Sequence, residues 1–159
     1  MAIETKIEIV SWVITIVLLY IFVPKHKYRE AHVSFLFMQA LTWVFGAVVV
    51  ELHLIAYPVR FFHYAFRSSF TFEYFIFPAV SVLFNVHFPK EGTYIKKTLY
   101  TLVFPSILTI SEVLLEKYTD NIKYIKWNWF WSWLTLLLTL YASYKYYQWF
   151  FAIRKTNLH

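Results

Sequence analysis

Apolar residues gather along the chain into five blocks, each set off by short polar punctuation. A helix that crosses the hydrocarbon core of a bilayer needs about 20 mostly apolar residues, with about 17–25 tolerated. The first block, Ile7 to Val23 (IEIVSWVITIVLLYIFV), stops at Pro24-Lys25-His26-Lys27. It has neither a basic start nor an Ala-x-Ala cleavage site, so it reads as a retained span rather than a signal peptide. The second, Ala31 to Tyr57, is expected to end at Tyr57-Pro58, because a proline pushes the residue before it out of the α region. The third holds Phe70 to Phe88 with Pro78 inside it, and the fourth covers Tyr94 to Leu115, kinked or loosened near Pro105. The fifth runs from Trp127 to Phe151. The predicted fold class is all-α, a polytopic transmembrane bundle of five helices forming one membrane domain over 1–159.

The fifth block carries its own ruler. Trp127, Trp129, Trp131 and Trp133 crowd its start, and Tyr146, Tyr147 and Trp149 crowd its end. Trp129 and Trp149 are 20 residues apart, about 30 Å along a helix, which matches the spacing of the aromatic belts at the two interfaces. Lys145 falls just inside the second belt, within snorkelling reach of headgroups. Lysine and arginine in the short loops then set the orientation. Lys25, Lys27, Arg29, Lys90, Lys96, Lys97, Arg154 and Lys155 lie on one side, against Lys6, Arg60, Arg67, Lys117, Lys123 and Lys126 on the other. Eight against six places the N-terminus outside and the C-terminus in the cytoplasm.

Composition agrees with the pattern. The 159 residues are 60% apolar and 15% charged, where an ordinary soluble domain is about 45–50% apolar and about 25% charged. With no cysteine, disulfides, thiolate metal sites and iron–sulfur clusters are excluded. The net charge of +6 fits anchoring to lipid headgroups. No basic run is long enough, and no soluble domain exists, to make nucleic acid a partner.

Candidate chemistry concentrates between Val48 and Asn85, where Glu51, His53, Arg60, His63, Arg67, Glu73 and Asn85 interrupt an aromatic run. An ionisable residue at bilayer depth is by default a functional hypothesis, because its burial costs several kcal/mol. If residues 59–70 are helical, Arg60, His63, Tyr64 and Arg67 share one face at i, i+3, i+4 and i+7, giving an amphipathic interfacial segment over 59–68. The outer ends of the second and third spans would then bring Glu51 and His53 near Arg60, His63 and Arg67. That arrangement is either a polar pocket open to the outer face or a set of charge pairs fixing helix register. Glu73 lies five residues before Pro78, and a continuous helix turns it away from the arginine face. Asn85 is expected to hydrogen-bond a neighbouring helix. Glu112 shares a face with Glu116 and either joins the outer cluster or reaches for water. Gln39 is a weaker candidate of the same kind.

Familiar catalytic signatures are missing. No H-x-x-x-H or H-E-x-x-H occurs, so zinc would need Glu51, His53, His63 and Glu73 from separate helices. A haem between His53 and His63, or between His32 and His87, rests on pairings that arise by chance among six histidines. Ser68-Ser69 lacks a G-x-S-x-G context, and Gly46 and Gly92 alone cannot make a phosphate loop. No metal or cofactor is expected.

The string VVELHLIAYPVRFFHYAFRSSFTFEYFIFPAVSVLFNVHFP, with HKYREA before it and the Trp-rich last span after it, resembles a family of small, uncharacterised multi-pass membrane proteins of spore-forming Gram-positive bacteria of the Bacillus or Clostridium type. The resemblance implies a location in the bacterial cell membrane but no catalytic residues. The leading expectation is a non-enzymatic membrane protein, an oligomeric or accessory subunit serving ion or small-solute passage or lipid binding. Its partners would be membrane lipids and a second copy or another membrane protein. The alternatives are a membrane-embedded enzyme on a lipid-linked phosphate, with Arg60 and Arg67 on the phosphate and Glu51 or Glu73 as base, and a structural scaffold.

Overall fold

The structure, a computed structural model, describes residues 3–156, with side chains described as far as Ala152. Arg154 and Lys155, counted above for orientation, lie outside the described side chains. Five helices form over the five apolar blocks: α1 (Ile3–Phe22), α2 (Tyr28–Glu51), α3 (Phe77–Val86), α4 (Tyr94–Tyr118) and α5 (Trp129–Thr156). A 3₁₀ turn (Lys25–Lys27) leads into α2, and a π-helical turn (Thr71–Ile76) leads into α3. α4 runs unbroken through Pro105. Helices α1, α2 with its 3₁₀ lead-in, and α4 are each long and apolar enough to cross a membrane.

These helices are packed inside-out. The buried residues of α1 are Glu8 and Thr15; those of α2 are Ser34, Met38 and Thr42; those of α4 are Pro105 and Thr109. Their large apolar side chains face outward instead, with Ile21 63%, Leu36 61% and Ile110 61% exposed. Water would penalise such a surface heavily. A lipid surround removes the penalty and with it the hydrophobic drive for helix association, so packing and hydrogen bonds must hold the bundle.

α3 is the axis. Eight of its ten residues are buried, packed on α2 and α5 and along one edge on α1. Phe77 and Phe84 join Met38 of α2 and Leu136, Leu140, Tyr144 and Tyr147 of α5 in the main core. A polar knot crosses it: Asn85 donates from Nδ2 to Ser34 (3.1 Å) and to Ser143 (3.0 Å), and Ser81 meets Ser143 at 2.7 Å. Asn85 thus bonds neighbouring helices, as its position in an apolar run suggests. At the far end Lys27 donates to the Val86 carbonyl (2.9 Å), a cation on the carbonyl-rich terminus of α3.

Two features depart most from the sequence reading. α2 ends at Glu51, six residues before Tyr57. His53 takes a left-handed conformation (φ 53°), with His53 N–H donating to Val50 O and Leu54 N–H to Val49 O, both at 3.0 Å. This is a Schellman stop with histidine where glycine is usual, so no glycine marked it. The amphipathic helix expected over 59–68 does not form; the segment is a string of turns. Phe62 is left-handed (φ 55°), and Arg60 donates from Nε to Phe66 O (2.7 Å), from Nη1 to Tyr57 O (2.5 Å) and from Nη2 to His63 O (3.2 Å). One guanidinium therefore supplies donors to three loop carbonyls and holds the turns in place.

A two-stranded antiparallel ribbon clasps this loop to the α4–α5 loop. β1 (Ile55–Ala56) pairs with β2 (Lys123–Tyr124), Ile55 opposite Tyr124 and Ala56 opposite Lys123. Val59 N–H to Asp120 O (3.0 Å) and Ile125 N–H to Leu54 O (2.9 Å) extend the clasp.

Replacing Asn85 by Ala removes the hydrogen bond from α3 to α2, strands the buried Ser34 hydroxyl, and leaves α5 joined to α3 through Ser81–Ser143 alone. Thermal unfolding in detergent should show a loss of about 1–2 kcal/mol, with an unchanged helical circular-dichroism spectrum below the transition.

Candidate functional site

The expected outer cluster separates into two groups. Glu51, His53, His63 and Arg67 are exposed. Arg67 and Glu51 approach only to 4.0 Å with side chains 80% and 78% exposed, a pairing of little energetic weight. The His53 Nδ1 lies 2.9 Å from the Glu51 carbonyl, and Arg60 is committed to loop carbonyls through all three nitrogens. Asn85 belongs to the structural knot. Glu73 and Glu112 instead meet across one interior cavity.

Local chemistry puts Glu73 there. Ser69 opens the helical segment, its Oγ accepting from Phe72 N–H (3.2 Å), and the Glu73 carboxyl reaches back toward the Ser68 hydroxyl and the Ser69 amide. This resembles a capping box lengthened by one residue. Pro78 carries no N–H, so the carbonyls of Glu73 and Tyr74, five and four residues earlier, lose a helical donor. The chain widens into the π turn, with Phe77 N–H bonding Phe72 O. Thr42 of α2 donates to Glu73 O (2.7 Å), and Gln39 donates from Nε2 to Tyr74 O (2.9 Å). The same seam lays the Glu73 carboxyl directly on Gly46, where an added Cβ would overlap it. Glu73 is 4% exposed, and its Oε2 has no hydrogen-bond partner.

Glu112 is better provided for. Its Oε1 accepts from Tyr124 OH (2.8 Å) and Ser132 Oγ (2.6 Å), and Ser132 is held in turn by Trp127 Nε1 (2.8 Å). The ribbon explains how loop residues reach this depth. Ile55 and Tyr57 point to the same side at a spacing of two, and Tyr124 stands opposite Ile55. Burial and the nearby carboxyls of Glu73 and Glu112 push the Tyr57 phenol well above its ordinary pKa. Burial and Glu112 likewise raise that of Tyr124. Both remain protonated donors beside the carboxylates.

Between them lies a cavity of about 100 Å³ lined by Glu73, Glu112, Tyr57, Gly46, Ser132 and threonines of α2 and α5, with no Lys, Arg or His in its wall. A second cavity of about 400 Å³ separates α1 from α4, and Tyr57, Phe72 and Glu112 form the wall shared by the two. A third buried acid, Glu8, lies on the α1 side of the π turn, directed at the Thr71 hydroxyl and the Phe61 amide. Trp12 donates to the same hydroxyl (3.2 Å) and stacks on Phe75 at 4.1 Å.

Sequence reasoning missed Glu8, Gly46, Tyr57, Ser132 and Tyr124. Gly46 had a readable signal, as one of two glycines in the chain and the one inside a helix. Among the described residues no group of three or more His, Cys, Asp or Glu is arranged to hold a metal ion.

A predominantly helical chain with three helices long and apolar enough to cross a bilayer, their exposed faces apolar and their buried faces largely polar, has the character of a helical membrane protein. Within that class no particular family is assigned, because no family model, no curated protein and no solved structure matches the chain.

Gly46→Ala should displace the Glu73 carboxyl rather than unfold the helix pair, since the overlap is with the end of a flexible side chain. A double-mutant cycle of Gly46→Ala with Glu73→Ala should give a coupling of about 1 kcal/mol or more in unfolding free energy. Strict additivity would show that the two groups do not touch.

Proposed function

We propose that the chain is a five-span membrane protein, N-terminus outside, whose Glu73–Glu112 cavity binds a small monovalent cation as a step in ion or small-solute passage. α5 is long enough to be the fourth span, and its modest hydropathy reflects the tryptophans and tyrosines that favour interfaces. The fifth is the segment from Thr71 to Val86, 16 residues or about 24 Å. It is shorter than the hydrocarbon core, yet the other helices shield much of it from lipid. In this topology the ribbon lies outside and the carboxylates sit below the outer interface.

The observation that carries the reading is Glu73, a buried carboxyl with an orphan oxygen, beside a cavity whose walls offer no cation. A buried carboxylate is expensive unless something neutralises it. About 100 Å³ holds a monovalent ion with one or two waters, each water taking about 30 Å³. The donors are carboxyl, hydroxyl and phenol oxygens, which suit hard cations and alkylammonium groups. One small cavity at one end does not cross a bilayer, so passage calls for self-association or a partner subunit. The lipid-phosphate enzyme reading has less support, because Arg60 is occupied within its own loop.

The test is thermal unfolding of purified protein titrated with NaCl, KCl or methylammonium chloride, against N-methylglucamine chloride as inert salt. One of the small cations should raise the midpoint saturably, worth about 2.7 kcal/mol at 100 times its Kd. Glu73→Gln should abolish the shift, and Gly46→Ala should weaken it at least ten-fold with the fold intact. No saturable shift from any of the three cations, or an undiminished one in Glu73→Gln, would overturn the proposal and leave a structural carboxyl.

A further inference from the structure

The end of the bundle opposite the ribbon has the reverse character. There α4, α5 and the end of α3 border a groove of about 730 Å³. Its mouth carries Lys90 from the turn, Lys97 from the first turns of α4 and Lys145 from the last turns of α5. Its deeper wall is Phe84, Leu102 and Leu137. No Asp or Glu lines it. Among the described residues the ion pairs are Arg67–Glu51 and Lys123–Asp120, so none of the three lysines has a carboxylate partner. Two of them rest on tyrosine faces, Lys90 at 5.5 Å from the Tyr147 ring and Lys145 at 5.3 Å from the Tyr141 ring. Stacking of this kind holds an ammonium in place without neutralising it. The Tyr147 hydroxyl donates to the Glu30 carboxyl, which forms no ion pair with Lys90.

Depth distinguishes this groove from a basic surface patch. Leu102 is five residues beyond Lys97 on α4, and Leu137 is eight residues before Lys145 on α5. At 1.5 Å per residue the apolar floor lies about 7–12 Å below the charges. Positive charge at headgroup level with an apolar channel beneath it is the profile of a phospholipid standing upright against a protein. A free phosphate would use the lysines and leave the channel empty. A zwitterionic lipid would bring its own cation to a site that already has three.

We propose that the α4–α5 groove binds an anionic phospholipid, its phosphate held by Lys90, Lys97 and Lys145 and an acyl chain laid along Leu102, Leu137 and Phe84. Lysines act on a phosphate as point charges, and basic pockets between membrane helices are suited to such headgroups. The site is independent of the carboxylate cavity, since the two lie at opposite ends of the helices and share no residue.

The experiment is native mass spectrometry of the full chain released from detergent, with phosphatidylglycerol or phosphatidylcholine added at equal concentration. Phosphatidylglycerol should be retained at least ten-fold more strongly. Lys97→Gln and Lys145→Gln should each weaken it about five-fold, the scale of one lysine near a charged headgroup. Lys96→Gln, an equal charge change on an exposed lysine outside the groove, should leave it within two-fold of the unsubstituted protein. Equal retention of the two lipids, or equal losses in Lys96→Gln and Lys97→Gln, would overturn the proposal in favour of general charge attraction. Full displacement of the lipid by millimolar inorganic phosphate would overturn it in favour of a free-anion site. Melting midpoints measured on the same samples separate loss of binding from loss of fold.

Discussion

Everything at the ribbon end hangs on two backbone carbonyls. Pro78 denies the carbonyls of Glu73 and Tyr74 a helical partner, and α2 supplies Thr42 and Gln39 in its place. An unpaired carbonyl in a nonpolar surround costs several kcal/mol, so these two bonds fix how α2 and α3 sit against each other. Once that seam is closed, Gly46 faces Glu73 and the carboxyl has nowhere to lie but on the glycine. The cavity follows from the seam, because the widened π turn moves side chains out of the positions that a regular helix would fill.

The two ends of the bundle are built on opposite electrical principles. At the ribbon end, acids are interior and their partners are hydroxyls, phenols and backbone amides. At the opposite end, lysines stand at the periphery over aromatic rings, and one of them, Lys27, caps a buried helix. Close to that end, the Asn85 knot makes the packing of α2, α3 and α5 specific, because exchanging helix faces would leave buried hydroxyls unpaired. Packing of aromatic side chains fills the space that small residues usually occupy in such bundles.

Much of this was legible from residue order. Long apolar blocks gave the helices, and polar residues stranded inside them pointed to Glu73, Asn85 and Glu112. What failed had definite causes. The i, i+3, i+4, i+7 spacing of Arg60, His63, Tyr64 and Arg67 is also compatible with turns, and the Arg60 guanidinium stabilises the turns by binding carbonyls. The early stop of α2 uses a left-handed histidine, which carries no sequence mark. Glu8 is the second residue of its block, and the Thr71 hydroxyl and Phe61 amide it is directed at lie about sixty residues further on. The ribbon is two residues wide on each side, too short for alternation to show.

The clasp between the two loops has a consequence for how the chain is made. The ribbon joins the α2–α3 loop to the α4–α5 loop, so the two helical hairpins are tied to each other. α1 takes no part in the ribbon; it packs chiefly on the π turn and α3, with Leu19 sharing a cluster with Ala31 and Phe35 of α2. Of the five helices α1 leaves the ribosome first, and Thr71 and Phe75 must be synthesised before Trp12 has its hydrogen-bond and stacking partners. A helix apolar on nearly every side tolerates that wait in lipid. The first-made of the five helices therefore draws its polar contacts from residues synthesised about sixty positions later.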